Sequence, residues 1–276
     1  MPDHLDVARD PTADDLARFM RFAEQLASAT RKLIVESSPL NASHRLKADG
    51  SFVTDIDFAV EDLVRSRVQT SFPNHGIVGE ERPDIPSSSD YQWVIDPIDG
   101  THSFRHRIPL FGTLLALLHR GQPVLGVIDL PLLNRTYVGA SGRGAFCNGQ
   151  QVSLRSVRAA NEIAHEVIAI GERRQFVACG HQDAFDRLMQ GHQSVRTYCD
   201  CFGHALAIEG AVGAMVDYNL HLWDFAASEV LIREAGGVFV ARNVDNRSDR
   251  RGGHYDVVFG KPRVVEWLSR VLTLPA

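Results

Sequence analysis

The chain has 276 residues, 44% of them hydrophobic and 23% charged, with a formal net charge of −5. That size buries a full core, and the acidic balance excludes the basic face that a nucleic-acid partner requires. No apolar run approaches the ~20 residues of a membrane span, and the polar, acidic start MPDHLDVARDP is unlike a secretory signal.

In chain order, Leu16, Phe19, Ala23, Leu26, Thr30 and Leu33 recur at three- and four-residue spacing. They predict an amphipathic helix from Thr12 to about Ser38, opened by a Thr12–Asp15 capping pair. A second helix is expected over Phe58–Phe72, burying Val60, Leu63, Val64 and Val68 and stopped by Pro73-Asn74. His75–Gly79, Gln92–Ile95, Gly112–Leu118, Val124–Asp129 and Thr136–Ala140 are short apolar runs between Gly and Pro punctuation, which reads as strands. Several follow one another with no room for helices, so an antiparallel sheet is expected. Arg143–Gln151, with Asn148-Gly149, reads as hairpin turns.

Beyond Val157 helices and strands alternate. Strands are expected at Val167–Ile170, Ser194–Thr197, Ala214–Asp217 and Val238–Ala241. Helices are expected at Gln182–Gln190, Gly203–Ala211, Asp224–Ala235 and Pro262–Leu272. The alternation predicts a second layered αβ half. Asn243–Gly253 reads as a polar loop. Of the four cysteines, Cys199 and Cys201 are too close for an ordinary disulfide and lack a matching pair for zinc. Reduced thiols in a cytoplasmic protein are expected.

Acidic residues gather at the ends of these elements: Asp55 and Asp57, Glu80 and Glu81, Asp96 and Asp99, and Asp224. Each alone has a structural explanation, since Asp55, Asp57 and Asp224 could cap helices and the Glu pair could be solvated. Three of the clusters, however, follow residues that belong in a core. Two carboxylates about 4 Å apart repel by about 4 kcal/mol at an effective dielectric near 20, so a converging set must bind a cation or protonate. Oxygen-only ligands suit a hard ion such as Mg²⁺. The spacing is wrong for an EF-hand, there is no P-loop, and the glycines of GASGRGAFCNG (139–149) sit where turns belong.

In WVIDPIDGTHSF (93–104) a strand delivers Asp96, Pro97 shapes a turn, and Asp99 returns to the same side. Gly100 and Thr101 then open a segment whose free amides could hold phosphate oxygens. Carboxylates for a metal and amides for a phosphate lie within six residues, a combination suited to metal-assisted phosphate-ester hydrolysis.

DPIDGTHSF resembles the D-P-[IL]-D-G-T-x-N-F signature of the inositol monophosphatase family. WDFAASEVLIREAGG (223–237) resembles its second signature, W-D-x-A-A-G-x-x-L-x-x-E-A-G-G, and LKADGSFVTDID and IVGEE resemble its upstream acidic motifs. The four occur in the family's order, and the resemblance covers about Leu46 to Gly260. It implies an α+β fold, a layered αβαβα sandwich. Residues 1–156 would form a half with the antiparallel sheet and most metal ligands, and 157–276 an α/β half closing the site, as one compact unit.

By position, the resemblance implies that Glu80, Asp96, the Ile98 carbonyl, Asp99 and Asp224 hold two or three Mg²⁺ ions. Thr101 with Asp57 would orient and deprotonate the attacking water, with Glu80 on the metal side. Glu81 would complete the acidic shell, with Lys47 nearby in a structural or electrostatic role. The Gly100 and Thr101 amides would hold phosphate, and Asp217 would contact the leaving group, with Asp200 nearby. A homodimer is implied by resemblance alone.

Ser103 stands where many of these enzymes carry Asn, and Ser228 replaces the usual glycine of the second signature, a change expected to alter helix packing and leave the site intact. PLFGTLLALLHRGQPVLGVIDLP and TYCDCFGHALAIEGAVGAMVDY are similar to the histidinol-phosphate phosphatase branch. The expectation is therefore Mg²⁺-dependent hydrolysis of L-histidinol phosphate, with Ser103 among the substrate-binding residues. The rivals are an inositol-1-monophosphatase or another small-molecule phosphatase of the family, and a silent metal- and phosphate-binding homologue. The expected partner is a small phosphate ester, with neither nucleic acid nor membrane involved.

Overall fold

The computed structural model describes residues 10–37, 44–47, 52–157, 159–244 and 253–272. Helix α1 (Ala13–Glu36) starts at the expected capping pair: the Thr12 hydroxyl accepts from Asp15 N at 3.2 Å, and Asp15 Oδ2 accepts from Thr12 N at 2.9 Å. A short hairpin of β1 (His44–Leu46) and β2 (Phe52–Thr54) precedes α2 (Asp55–Ser71), which Thr54 caps. Helix α2 begins three residues earlier than expected, because the Thr54 hydroxyl satisfies the amides of Ile56 and Asp57.

A seven-stranded sheet follows, in the order β3-β4-β5-β6-β7-β8-β9. Its strands are β3 (Gly76–Gly79), β4 (Tyr91–Asp99), β5 (Gly112–His119), β6 (Gln122–Leu130), β7 (Arg135–Ala140), β8 (Gly144–Cys147) and β9 (Gln150–Val152), with α3 (Thr101–Arg105) between β4 and β5. All neighbours are antiparallel except β3 and β4. Asn148 and Gly149 adopt φ of 49° and 77°, the left-handed pair that a two-residue hairpin between β8 and β9 requires.

The chain continues through α4 (Ala160–Ile163), β10 (Ile168–Ile170), α5 (Arg173–Ala178), α6 (Gln182–Gly191), β11 (Val195–Thr197) and α7 (Asp200–Ile208). It closes with β12 (Ala214–Leu220), α8 (Leu222–Glu234), β13 (Val238–Asn243), β14 (Tyr255–Gly260) and α9 (Pro262–Leu272). These strands make a second sheet, β11-β10-β12-β14-β13. Three elements of this half, α4, α5 and β14, are additions to the sequence expectation. The anticipated 243–253 loop lies mostly outside the described residues, since 245–252 are not among them.

The layers follow from period-2 alternation on strands buried on both faces. From β4 and β5, Trp93, Ile95, Leu115 and Leu117 pack on Phe19, Ala23, Val64 and Val68 of α1 and α2. On the opposite face, Val94, Leu114, Ala116 and Ile128 pack with Ala205 and Ile208 of α7 and with Phe225, Ala227 and Leu231 of α8. The same cluster includes Met215, Val257 and Phe259 of the second sheet. Phe176, Phe185, Leu188, Val264 and Leu268, from α5, α6 and α9, cover that sheet's far side over Ile170, Val216 and Val258. The result is the α+β layered αβαβα sandwich. Helix α8 lies so close to β6 that a Cβ at Gly126 would sit 2.3 Å from the Ala227 carbonyl oxygen.

Candidate active site

Aspartates three apart on a regular strand point to opposite faces. Strand β4 avoids this with a bulge. Asp96 lies opposite Leu114 and Asp99 opposite Gly112, so three steps on β4 match two on β5. Pro97 has no amide to lose inside the bulge, and its carbonyl accepts from Thr113 Oγ1 at 2.8 Å. The extra residue turns Asp99 back beside Asp96.

Gly100 follows with φ 83°, a left-handed conformation that a side chain resists. The first helical bond of α3 runs from Phe104 N to the Gly100 carbonyl at 3.0 Å, so the amides of Thr101, His102 and Ser103 precede the ladder. A Cβ on Gly100 would lie 3.1 Å from Asp200 Oδ2. Asp200 opens α7 with φ 58°, and the next amide, Cys201 N, donates to Asp99 Oδ2 at 2.5 Å. The bulge of the first sheet is thereby clamped to the helix that follows β11.

The other acids arrive on helix starts and on the end of β3. Asp57 is the third residue of α2, and its Oδ2 accepts from Thr54 N at 2.8 Å. Asp224 is the third residue of α8, accepting from His221 N at 2.7 Å. The N-cap of α8 is His221, three residues ahead of the expected helix start, so Asp224 closes the cap from within the first turn. Glu80 follows β3, and Lys47 Nζ lies 2.6 Å from its Oε1 and 2.5 Å from Glu81 Oε1. Glu61, fully buried, accepts from Glu81 N at 2.8 Å, Arg82 N at 3.2 Å and Arg65 Nε at 2.7 Å, which holds the segment carrying Glu80 in place.

These carboxylates raise one another's pKa. Asp96 is pushed well above its usual range by burial, then by Glu80, Asp99 and Asp224. Asp99 is pushed up by desolvation, Asp200 and Asp224, and Asp224 by desolvation and Glu80. Burial lifts Asp57 to about 6 against its Thr54 hydrogen bonds. Desolvation and Glu80 lift Glu81 to about 7. Burial works against the Lys47 charge, but Glu80 and Glu81 outweigh it and hold the ammonium above its ordinary pKa.

As they stand, no three His, Cys, Asp or Glu side chains among the described residues form a group that could hold a metal ion. In this arrangement Lys47 holds Glu80, the Cys201 amide holds Asp99 and the His221 amide holds Asp224. The donor set nonetheless fits a hard cation. Asp57 Oδ1 and Asp96 Oδ1 are buried with no hydrogen-bond partner, and an unpartnered buried carboxylate oxygen among like charges is costly unless a cation meets it.

Several expected residues make other contacts. The Thr101 hydroxyl donates to the Ile98 carbonyl at 3.0 Å, and no Thr101–Asp57 bond is present. Ser103 receives the Ile108 amide on its carbonyl at 2.9 Å, and its hydroxyl makes no hydrogen bond to the acids. Asp217 is 2% exposed, and its Oδ1 accepts from Tyr218 N at 3.0 Å. It lies close enough to Asp200 to help burial raise that carboxyl to about 7, together with Glu172. Ser228 does more than fill space on α8, because its hydroxyl meets His204 Nδ1 at 2.8 Å. Glu172 and His204 carried no sequence signal: one sits in an unpatterned GERRQ stretch, the other inside an apolar helix. A cleft of about 370 Å³ opens beside the acids, lined by Glu80, Glu172, Asn219, His221, Trp223 and Asp224.

A layered αβαβα sandwich with this acidic cleft at the junction of its two sheets defines the class. The chain belongs to the inositol monophosphatase family, whose sequence profile matches residues 15–266, and it is a phosphatase. It is 37% identical over 191 residues to the histidinol-phosphatase of Chlorobaculum parvum, spanning 69% of this chain and 73% of that protein. It is 34% identical over 226 residues to the histidinol-phosphatase of Mycobacterium tuberculosis, spanning 81% and 86%. The crystal structure of the extragenic suppressor protein suhB from Bartonella henselae shares the fold with a TM-score of 0.82 at 25% identity, covering 94% of this chain and all of that one.

Proposed function

We propose that the chain hydrolyses L-histidinol phosphate to L-histidinol and phosphate with Mg²⁺. The observation that carries the substrate choice is the grouping of Glu172, Asp200 and Asp217, three carboxylates that oppose one another's charge, of which Glu172 lines the cleft together with Arg174. No ion pair among the described residues neutralises Glu172 or Asp200. A leaving group that is itself a cation satisfies that excess; a neutral polyol does not. The two histidinol-phosphatase relatives support the same choice.

Glu80, Asp96, Asp99, Asp224 and the Ile98 carbonyl would hold two or three Mg²⁺ ions. Bound there, Mg²⁺ supplies Lewis-acid polarisation of the phosphate and activation of water. The chain's own groups do the rest. The Gly100, Thr101 and His102 amides receive phosphate oxygens at the open end of α3. Asp57 Oδ1, unpartnered in its buried setting, takes the proton of the attacking water, and its pKa of about 6 leaves it ionised near neutral pH. Thr101 orients that water once its hydroxyl turns from Ile98. Glu81 and Lys47 balance charge at the rim. Asp200, Asp217 and Ser103 form the leaving-group side. We further propose a cytoplasmic homodimer, consistent with four free cysteines; analytical ultracentrifugation checks the dimer.

The test is phosphate release from L-histidinol phosphate, inositol 1-phosphate and adenosine bisphosphate, with Mg²⁺ and with EDTA. The expected kcat/KM for L-histidinol phosphate exceeds the others by about tenfold or more, about 1.4 kcal/mol in the barrier, and is lost in EDTA. An equal preference for inositol phosphate would reject the substrate assignment.

A further inference from the structure

Three polar side chains lie in line through the layer between the two sheets, and all are buried: Ser228 of α8 at 0% exposure, His204 of α7 at 1% and Asp217 of β12 at 2%. His204 Nδ1 is 2.8 Å from Ser228 Oγ. Its Nε2 lies 3.5 Å from Asp217 Oδ2, a contact short of a hydrogen bond, and is otherwise unpartnered. The ring is pinned edge-on by Phe259, with centroids 5.0 Å apart at 85°. A serine hydroxyl donating to Nδ1 leaves the proton on Nε2, where it points at the carboxylate. Burial excludes a nucleophilic triad, since the serine, the imidazole and the acid all lie away from solvent.

Asp217 is constrained on its other side as well. Its Oδ1 accepts the Tyr218 amide at 3.0 Å and lies where a side chain at position 171 would stand, 2.1 Å from a Cβ built on Gly171. Gly171 immediately precedes Glu172, and Asp217 is the first charged group after burial to act on Asp200. The carboxylate thus sits beside the backbone that carries Glu172, which lines the cleft, and close to Asp200. Its direction sets the field they present.

We propose that His204, with its tautomer set by Ser228, is a positioning residue that fixes the Asp217 carboxylate beside Glu172 and Asp200 and thereby sets recognition of a cationic leaving group. The inference rests on the proposed function above. It gives the serine at position 228 a role in selectivity that reaches the cleft through two intervening side chains. No contact between Ser228 or His204 and the substrate is involved.

The test compares kcat/KM for L-histidinol phosphate and for p-nitrophenyl phosphate, whose leaving group carries no cation, in the wild type, Ser228→Ala, His204→Leu, His204→Gln and Asp217→Asn. The selectivity ratio is expected to fall roughly tenfold in His204→Leu, through KM for the cationic ester. Ser228→Ala lowers it in the same direction by less, and Asp217→Asn lowers it at least as far. His204→Gln, whose amide can still donate to Asp217, recovers most of it. Thermal melts accompany each variant, and Ser228→Ala keeps the test valid if His204→Leu does not fold. A merely structural role lowers both activities together and leaves the ratio untouched, which overturns the proposal. If Asp217→Asn changes the ratio while Ser228→Ala and the His204 variants do not, the positioning role falls and the leaving-group reading stands. A wild type that does not favour the cationic ester overturns both.

Discussion

Without divalent cations, the protein should lose stability as pH rises from 5 to 8, and Asp57 is the group through which to measure it. Its carboxyl is fully buried and titrates at about 6, against an ordinary 3.8. A raised folded pKa means that the folded chain keeps a proton which the unfolded chain releases. The associated stabilisation is complete below about pH 4 and is lost as pH climbs through 6. A shift of about two units corresponds to about 3 kcal/mol at 1.36 kcal/mol per unit. For a chain of this size that is roughly 6–10 °C in Tm. Glu81 and Asp200, both near 7, extend the same trend toward pH 8.

The assay is thermal unfolding of EDTA-treated protein at pH 5, 6, 7 and 8, beside Asp57→Asn, in which this proton cannot be lost. Over this range the wild type should fall more steeply than the variant by about half the stated amount, the rest being lost between pH 4 and 5. Adding Mg²⁺ at pH 8 should restore stability, by about 2.7 kcal/mol at a hundred times its Kd, and do much less at pH 5 where protons occupy the same oxygens. Parallel pH slopes for wild type and variant, or an Mg²⁺ effect independent of pH, would refute the account of the cluster.

Asp96→Asn should reduce Mg²⁺-dependent kcat by about a thousandfold or more while raising the Tm of the EDTA-treated protein, because one of the mutually repelling carboxylates is gone; steady-state kinetics and melts read the two effects. Glu61→Ala should cost about 3–5 kcal/mol in urea unfolding, since it leaves Arg65 buried without its partner, and activity should fall with it as the segment carrying Glu80 loosens. Gly126→Ala should destabilise by about 1–3 kcal/mol, more if α8 cannot shift, because its Cβ meets the Ala227 carbonyl oxygen; urea midpoints measure it, and kcat reports any displacement of Asp224.

Much of the fold was legible because burial wrote it in apolar runs. Strands β5 and β6 announced themselves as uninterrupted apolar stretches between Gly, Pro and polar turns, and α1 through its three- and four-residue spacing. Strand β14 did not, since Asp256 interrupts a fully buried strand, where Arg242, His181 and the Asn219 amide reach it. Asp57, Glu80, Glu81, Asp96, Asp99 and Asp224 were visible as residues, and Glu172 was not. What no linear motif conveys is register. D-P-I-D does not say that β4 gains a residue on β5, which is what brings Asp96 and Asp99 together. The N-cap of α8 was misplaced because histidine is an unusual cap. Glu172 and His204 acquire meaning only from elements distant in sequence that fold beside them.

The bond from the Cys201 amide to Asp99 joins two parts of the molecule that otherwise have separate duties. Glu80, Asp96 and Asp99 come from β3 and β4 of the first sheet, whereas Glu172, Asp200, Asp217 and Asn219 come from the ends of elements in and around the second. On the proposed assignment, most of the reaction centre rides on the first frame and the choice of alcohol on the second, with Asp224 of α8 joining the first set from the second half. Substitutions around α5 and β12, away from the α7 amide that holds Asp99, can therefore exchange one ester for another without disturbing the carboxylates of β4. A single scaffold is in this way open to new substrates at little risk to its chemistry.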